Sequence, residues 1–346
     1  MRHEVLTVSG GMTPGDSPSV AVGQGRTAPM FSIVVVNWNG GALVEECLEA
    51  LRAQTWRDFE VIVIDNGSTD DSPRRISELF PECRLIRLDR NIGFAAANNR
   101  AAAVSKGQWL VLLNNDAFAR PDWLEKLHEG IRRHPEFAGF ASLQLQARRP
   151  DLLDGAGDSY HVSGLVWRAG FGQPFAPPWD EEREIFLACA AAAAYRSDAF
   201  RDVGGFDESF FCYVEDVDLS FRMQLRGYRF MYLPSAVVHH VGSASQGQKS
   251  SFARYHGHRN LVWCYLKNMP SALLWRYLPV HLLMNLWLLG WFSLRGEGGP
   301  IWRAKWDALK GLPRVLRQRR EIQARRTVPA RDLDRHMVHG LFGARR

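Results

Sequence analysis

The 346-residue sequence predicts an α/β protein: a mostly parallel sheet flanked by helices, with a helical, membrane-associating extension at its C-terminal end. Three observations predict it. Short apolar runs stop abruptly at polar residues, as in FSIVVVN (31–37), VIVIDN (61–66) and WLVLLNND (109–116), the pattern of strands buried on both faces. Segments with apolar residues at helical spacing alternate with those runs. An apolar stretch, YLPVHLLMNLWLLGWFSL (277–294), then precedes a basic tail.

The elements follow in order. Residues 1–29, rich in Gly, Pro and Ser and without the apolar core of a signal peptide, predict a disordered leader; Met30, just before the first strand, would serve as an alternative start. After strand 31–37, Leu43, Cys47 and Leu51 recur every four residues and form one helical stripe. After strand 61–66, Asp71 or Ser72 is placed to cap a helix with Pro73 at its first position. CRLIRL (83–88) predicts a short third strand, NIGFAAANNRAAAVS (91–105) a turn entering an Ala-rich helix, and 109–116 a fourth strand. Such alternation gives right-handed parallel crossovers. Trp123, Leu124, Leu127 and Ile131 then share one side of a further helix, whereas 148–182, with several Gly and Pro, predicts a flexible loop near the site. The resulting organisation is a leader (1–29), two halves of an α/β domain (30–120 and 121–250) and a C-terminal helical region (251–346).

Charge is uneven along the chain. Residues 301–346 hold thirteen Lys and Arg against four Asp and Glu, whereas the whole chain carries only +6. Because this basic tail follows an apolar stretch, it favours a membrane surface over nucleic acid as partner. With only eighteen residues, and with Pro279, His281 and Asn285 among them, 277–294 reads as an interfacial helix with its Trp residues at headgroup depth. Five widely spaced cysteines without a CxxC pair fit a reducing compartment and argue against a cysteine zinc site.

Acidic and amide residues gather where the strands end, and ligands of open α/β sheets bind there. No GxGxxG follows the first strand and no GxxxxGK[ST] occurs, which weighs against nicotinamide enzymes and P-loop NTPases. Instead Asn37-Trp38-Asn39-Gly40 and Asp65-Asn66-Gly67-Ser68 stand at the strand ends, where they either hydrogen-bond a base and its ribose or shape turns. Asp116 closes an apolar strand, where a carboxylate calls for a cation or a helix to cap; Mg²⁺ or Mn²⁺ beside substrate phosphates would satisfy it. The later FFCYVEDVDLSFR adds Glu215, Asp216 and Asp218 to these carboxylates. Asp218 and Arg222, four apart on one helix, would pair with each other.

Together SIVVVNWNG, VIVIDNGSTDDS, NIGFAAANN, LLNNDA and GGFDESFFCYVEDVDLSFRMQLRGY, in this order over about residues 31–245, resemble the family 2 glycosyltransferases of GT-A fold, especially their bacterial rhamnosyltransferase-like branch. The resemblance implies that Asp65 contacts the base, that Asn37, Asn39 and Asn66 lie in the nucleotide pocket, and that Asn91, Gly93 and Asn98 form a helix start beside the diphosphate. It implies that Asn114-Asn115-Asp116 takes the place of the DXD metal motif, with Asn115 toward the donor and Asn114 substituting its first acid, and that His240 is a metal ligand. It implies Glu215-Asp216 as the ED motif with Asp216 as general base, which agrees with the need of an inverting transfer for one carboxylate to take the acceptor's proton, and Phe206 and Tyr213, with Phe210 and Phe211 nearby, as surfaces for the acceptor sugar. Arg254, His258 and Arg259 in RYHGHRN either approach a phosphate or lead the chain toward the membrane. The expected activity is inverting transfer from a nucleoside-diphosphate sugar, dTDP-rhamnose at family level, to a glycan or polyprenyl-linked acceptor in surface polysaccharide or glycolipid synthesis. It would take place in the cytoplasm, peripheral to the inner leaflet, with a divalent metal and no nucleic acid. Two alternatives stay open: a same-fold sugar nucleotidyltransferase, whose Gly-rich signature is missing, and a catalytically degenerate glycan-binding or scaffold member.

Overall fold

The computed structural model describes residues 28–242 and 250–340. All but the last two residues of the expected leader lie outside them. The first half runs β1 (Phe31–Asn37), α1 (Gly41–Arg52), β2 (Phe59–Asp65), α2 (Ser72–Leu79), β3 (Arg84–Arg87), α3 (Phe94–Ala102) and β4 (Trp109–Asn114). Its strands pair in parallel in the order β4-β1-β2-β3, so the chain reverses direction of travel beside β1 and opens a crevice at the strand ends. Alternate residues of β1 feed two cores: Phe31, Ile33 and Val35 pack with Val44, Cys47, Leu48 and Leu51 of α1, while Val34 packs with Ala95, Ala97 and Ala101 of α3. Asp71 occupies the cap position of α2, but its carboxylate pairs with Arg74 rather than with a backbone amide, and Pro73 falls one residue inside the helix.

The second half comprises β5 (Ala117–Ala119), α4 (Trp123–Arg133), β6 (Gly139–Gln146), β7 (Arg149–Gly155), β8 (Asp158–Tyr160), β9 (Val166–Arg168), β10 (Arg183–Ile185), β11 (Ala192–Arg196), α5 (Ser197–Asp202), α6 (Glu215–Leu225) and β12 (Phe230–His240). β11 runs antiparallel between β4 and β6, and β12 pairs in parallel with β6, extending the sheet to β10-β12-β6-β11-β4-β1-β2-β3. The fourth strand stops at Asn114, two residues earlier than expected, because Asn115 and Asp116 turn the chain into β5, which pairs antiparallel with β12 and sets Ala117 opposite His240. The expected loop 148–182 instead contains β7 and the β8–β9 hairpin, whose register sets Asp158 opposite Arg168. Strands of three residues are too short to show a period in the sequence.

Five helices follow: α7 (Ser251–Asn268), α8 (Ser271–Leu294), α9 (Gly298–Lys310), α10 (Leu312–Ala324) and α11 (Ala330–His336). α8 starts six residues before the expected segment and, by length and composition alone, is long and apolar enough to cross a membrane. Its His281 and Asn285 face the protein. His281 stacks on Tyr265 at 3.8 Å and its Nδ1 lies 2.7 Å from the Ser163 carbonyl, while Asn285 meets Lys305 of α9. The other side, with Trp275, Leu282, Leu283, Leu286, Trp287 and Leu294, is exposed, and Trp302, Trp306 and Leu309 of α9 are exposed as well. The helical region is fastened to the sheet half by buried charges. Lys267 of α7, 1 % exposed, reaches Asp207 at 2.6 Å and Asp218 of α6 at 2.7 Å, and Asp218 also accepts from Arg222 at 2.8 Å and from Asn268 at 2.8 Å. Burial works against ionising Asp207, but the Lys267 ammonium overrides it and holds the carboxyl well below the ordinary range.

Candidate active site

A cavity of about 440 Å³ opens where β1, β4 and β12 end. On its nucleotide side, Asn66 donates to Asn91 Oδ1 at 3.0 Å and accepts from the Ile92 amide at 2.9 Å, while the Gly93 amide also donates to Asn91 at 2.9 Å. Gly93 has φ +91°, and a Cβ there would lie 2.6 Å from the Phe211 carbonyl oxygen, so only glycine lets the start of α3 approach this loop. Asn66, Asn91, Gly93 and Asn115 all line the cavity.

Five expected contact residues do not line it. Asn37 and Asp65 are register partners of adjacent parallel strands, so their side chains share a side and meet each other: the Asn37 amide donates to Asp65 at 3.2 Å, Ser68 at 3.2 Å and Ser72 at 2.9 Å. Both are buried beneath the loops. Asn39 accepts from the Thr69 and Asp70 amides at 2.7 and 3.3 Å and shapes the turn. Asn98 is buried within α3 and donates to the Phe94 carbonyl, and Phe206 is a core residue packed between Phe94 and Phe200, with no surface for a sugar.

At the end of β12, His240 Nε2 lies 3.2 Å from Asp116 Oδ1 and 3.3 Å from the Asn114 amide nitrogen, and Nδ1 lies 2.7 Å from Asp154. Asp154 in turn pairs with Arg168. Burial lowers the His240 pKa, but Asp116 and Asp154 on either side outweigh it, and the net shift is upward. A carboxylate and an imidazole nitrogen this close need a positive charge between them, either a proton or a metal ion. A carboxylate on the far imidazole nitrogen orients a metal-ligating histidine in the same way. The donor set therefore fits a divalent cation held by Asp116 and His240, with Asn114 beside them.

Asp216 lies on the wall formed by α6. Its Oδ2 accepts from the Ala190 amide at 3.0 Å and its Oδ1 from the Val217 amide at 2.8 Å; the neighbouring Ala191 carbonyl accepts from the Asn114 amide at 3.0 Å. Two adjacent residues thus tie Asp216 to the end of β4. Asp158, Cys189 and Asp216 converge within 4.8 Å. Burial raises the Asp216 pKa, against the two backbone amides and Arg168; Asp158 is pushed up to about 8, by burial first and then by Asp216. Burial thus pushes both carboxyls up, Asp158 further by the Asp216 charge, and it keeps the Cys189 thiol protonated. Glu215 also lines the cavity. Burial and Asp216 hold it well above the carboxylate range, and its Oε2 has no hydrogen-bond partner among the described residues.

The turn before α6 is strained. Phe211, Tyr213 and Val214 have φ of 66°, 68° and 70°, a region that non-glycine residues seldom occupy. Asn260 of α7 pins it, its amide donating to the carbonyls of Phe210, Cys212 and Tyr213 at 2.9, 3.0 and 2.8 Å, and Arg259 donates to those of Ser209 and Phe210 at 3.2 and 3.0 Å. Arg259 and Asn260 therefore serve the loop, whereas Arg254 and His258 face a second cavity. Sequence reasoning missed Asp154, Asp158 and Arg168, which lie in the stretch read as a loop. Three aspartates within the Gly-rich run DLLDGAGD were the available signal.

A parallel nucleotide-type half joined to a mixed half, with amides and carboxylates at the junction, is the GT-A arrangement of glycosyltransferases. Solved structures share the fold: Staphylococcus aureus TarS residues 1–349 in complex with UDP (TM-score 0.57, 18 % identity, 88 % of each chain) and GalNAc-T7 with UDP, GalNAc and Mn²⁺ (TM-score 0.58, 17 % identity, 71 % of this chain and 49 % of that one). The chain belongs to glycosyl transferase family 2, whose description matches residues 32–204. It is 30 % identical over 268 residues to the N-acetylglucosaminyl-diphospho-decaprenol L-rhamnosyltransferase of Mycobacterium tuberculosis, covering 70 % of this chain and 86 % of the relative. It is also 30 % identical over 237 residues to the O-antigen biosynthesis protein RfbC of Myxococcus xanthus, covering 64 % of this chain and 18 % of that protein.

Proposed function

We propose that this glycosyltransferase moves a sugar, with inversion, from a nucleoside-diphosphate donor to a lipid-linked or glycan acceptor in surface polysaccharide or glycolipid synthesis. The observation that carries the reading is one cavity holding both a cation-ready pair, Asp116 and His240, and a carboxylate of raised pKa, Asp216. Asn66, Asn91 and Asn115 would bind the nucleotide. Asp216 takes the proton of the acceptor hydroxyl as that oxygen bonds to the anomeric carbon and the carbon–phosphate oxygen bond breaks, the electron pair leaving with the diphosphate. Its raised pKa makes it a stronger base than a solvated carboxylate. A divalent ion at Asp116 and His240 would supply charge neutralisation to the departing diphosphate. Glu215, held neutral, acts by shape and hydrogen bonding, and Tyr213 offers the acceptor sugar a ring.

The L-rhamnosyltransferase relative supports a rhamnosyl donor, for which we propose dTDP-rhamnose, and a polyprenyl-diphosphate-linked sugar as acceptor. The exposed Trp-rich sides of α8 and α9, beside a basic tail, support peripheral seating on the cytoplasmic leaflet. The test is binding of UDP, dTDP and GDP and their sugars with Mn²⁺, Mg²⁺ or EDTA. Metal-dependent binding of one nucleoside diphosphate is expected; no binding to any would refute the transferase reading in favour of a degenerate, scaffold role.

A further inference from the structure

The first cavity has a neighbour of about 510 Å³ that shares two residues with it, Gly257 and Leu261, one helical turn apart on α7. Its other walls come from both ends of the α7–α8 hairpin. Arg254 and His258 sit on the same face of α7, and Trp291, Phe292 and Arg295 close the far side. Two guanidiniums lie against aromatic rings, Arg295 at 4.0 Å from the Trp291 ring and Arg254 at 5.7 Å from that of Phe292. Among the described residues lining it, only Glu297, 3.1 Å from Arg254, opposes their charge. His258 Nδ1 is buried without a hydrogen-bond partner among the described residues. Trp291 of this wall stacks at 5.6 Å on Trp287 of the exposed apolar side of α8.

Gly257 is not explained by the fold; Gly290 of α8 is likewise without a close neighbour, but it lies on the exposed side and lines neither cavity. Glycine weakens a helix interior relative to alanine, and it is normally kept there for a left-handed backbone or a close contact. Neither holds at Gly257: its φ is not positive, and an added Cβ would meet no atom of the described residues within 4 Å. The space it leaves is the junction of the two cavities.

Resting on the lipid-linked acceptor reading, we infer that the second cavity is the subsite for the prenyl-diphosphate part of the acceptor, and that Gly257 keeps open the passage to Asp216. The diphosphate meets Arg254 and Arg295, the first isoprene units lie on Trp291 and Phe292, and the chain leaves along α8 toward the lipid. The sugar passes over Gly257 into the first cavity. One cationic, aromatic pocket thus matches one amphipathic ligand in both its parts.

The test is calorimetric binding of farnesyl diphosphate to the full chain, with farnesol and inorganic diphosphate as half-ligands and with the preferred nucleoside diphosphate at saturation. Farnesyl diphosphate is expected to bind more tightly than either half and to be undisturbed by nucleotide. Arg295→Ala should weaken it about tenfold or more, the loss of one charge-assisted contact, with nucleotide affinity unchanged. Gly257→Leu should abolish transfer to a lipid-linked acceptor while nucleotide binding persists, and Gly257→Ala should raise Tm, which shows that glycine is not there for the fold. Displacement of farnesyl diphosphate by nucleotide would mean that it merely occupies the donor site, and equal affinity for inorganic diphosphate would mean an anion site alone; either overturns the inference. Nucleotide binding without any farnesyl diphosphate binding also overturns it and leaves the transferase reading standing. Failure of nucleotide binding in the wild-type protein would instead strike that reading itself.

Discussion

Asn260→Ala removes the pin beneath the strained turn. The amide supplies two N–H donors to three carbonyls, and Arg259 still reaches that of Phe210, so the Cys212 and Tyr213 carbonyls are left without their partner. A buried acceptor left unpaired costs about 1–3 kcal/mol, giving about 2–6 kcal/mol for the pair before relaxation. The turn has a strong incentive to relax, since three residues in the left-handed region each hold about 1–3 kcal/mol of strain. Relaxation moves Asp216, which begins two residues after Val214, and a displacement near 1 Å costs about a hundredfold in rate. Urea unfolding should therefore show a loss of about 2–4 kcal/mol, and turnover should fall about a hundredfold with a smaller change in nucleotide affinity. Asn260→Asp separates hydrogen bonding from shape: it keeps the volume but sets a carboxylate against carbonyl oxygens, so it should be worse than alanine. Wild-type stability and turnover in Asn260→Ala, or an aspartate variant milder than alanine, would refute the argument.

Three further outcomes are expected. Asp216→Asn keeps nucleotide affinity and lowers turnover by about two to four orders of magnitude; near-normal turnover removes Asp216 as base. Asp116→Ala abolishes the Mn²⁺ dependence of nucleotide binding, and Asp154→Asn, acting through His240, weakens Mn²⁺-supported binding about 10- to 100-fold; unchanged titrations would put the metal elsewhere. Asp158 binds its proton up to about pH 8 in the native state but only up to about pH 4 when unfolded, so its contribution to stability is lost as pH rises across that window. Asp158→Asn should flatten that fall in denaturant midpoints and remove an inflection near pH 8 from the rate profile, and wild-type behaviour in both would exclude a raised pKa at Asp158.

The two buried sides of β1, β2 and β4 were legible because runs such as Ile33–Val36 admit little but a covered strand. The Ala-rich β11 carried no such signal. Its small side chains give weak strand propensity, and it is a strand because it fills the gap between β4 and β6. The gathering of polar residues at the strand ends was legible, but which of them face the cavity was not. Asn37 and Asp65 turn toward one another while Val36 and Asn66, one position away, line the cavity, and no sequence pattern tells which member of a polar pair ends outward. Phe206 shows the same limit for aromatic residues, since core and ligand-stacking phenylalanines look alike in sequence. Asp154 needed β7, which pairs with β6 through an irregular register, and Asp158 needed the three-residue β8, and both depend on contacts that no local pattern announces.

The buried Asp207–Lys267–Asp218 charges have a consequence for how such enzymes diversify. Cutting or exchanging the chain near residue 250 would strand Asp207 inside the protein and leave Asp218 with Arg222 alone, since the ammonium they share comes from α7. The helices that would meet the acceptor therefore cannot be traded among relatives as an independent cassette, and a working chimera must inherit α6 and α7 from the same parent.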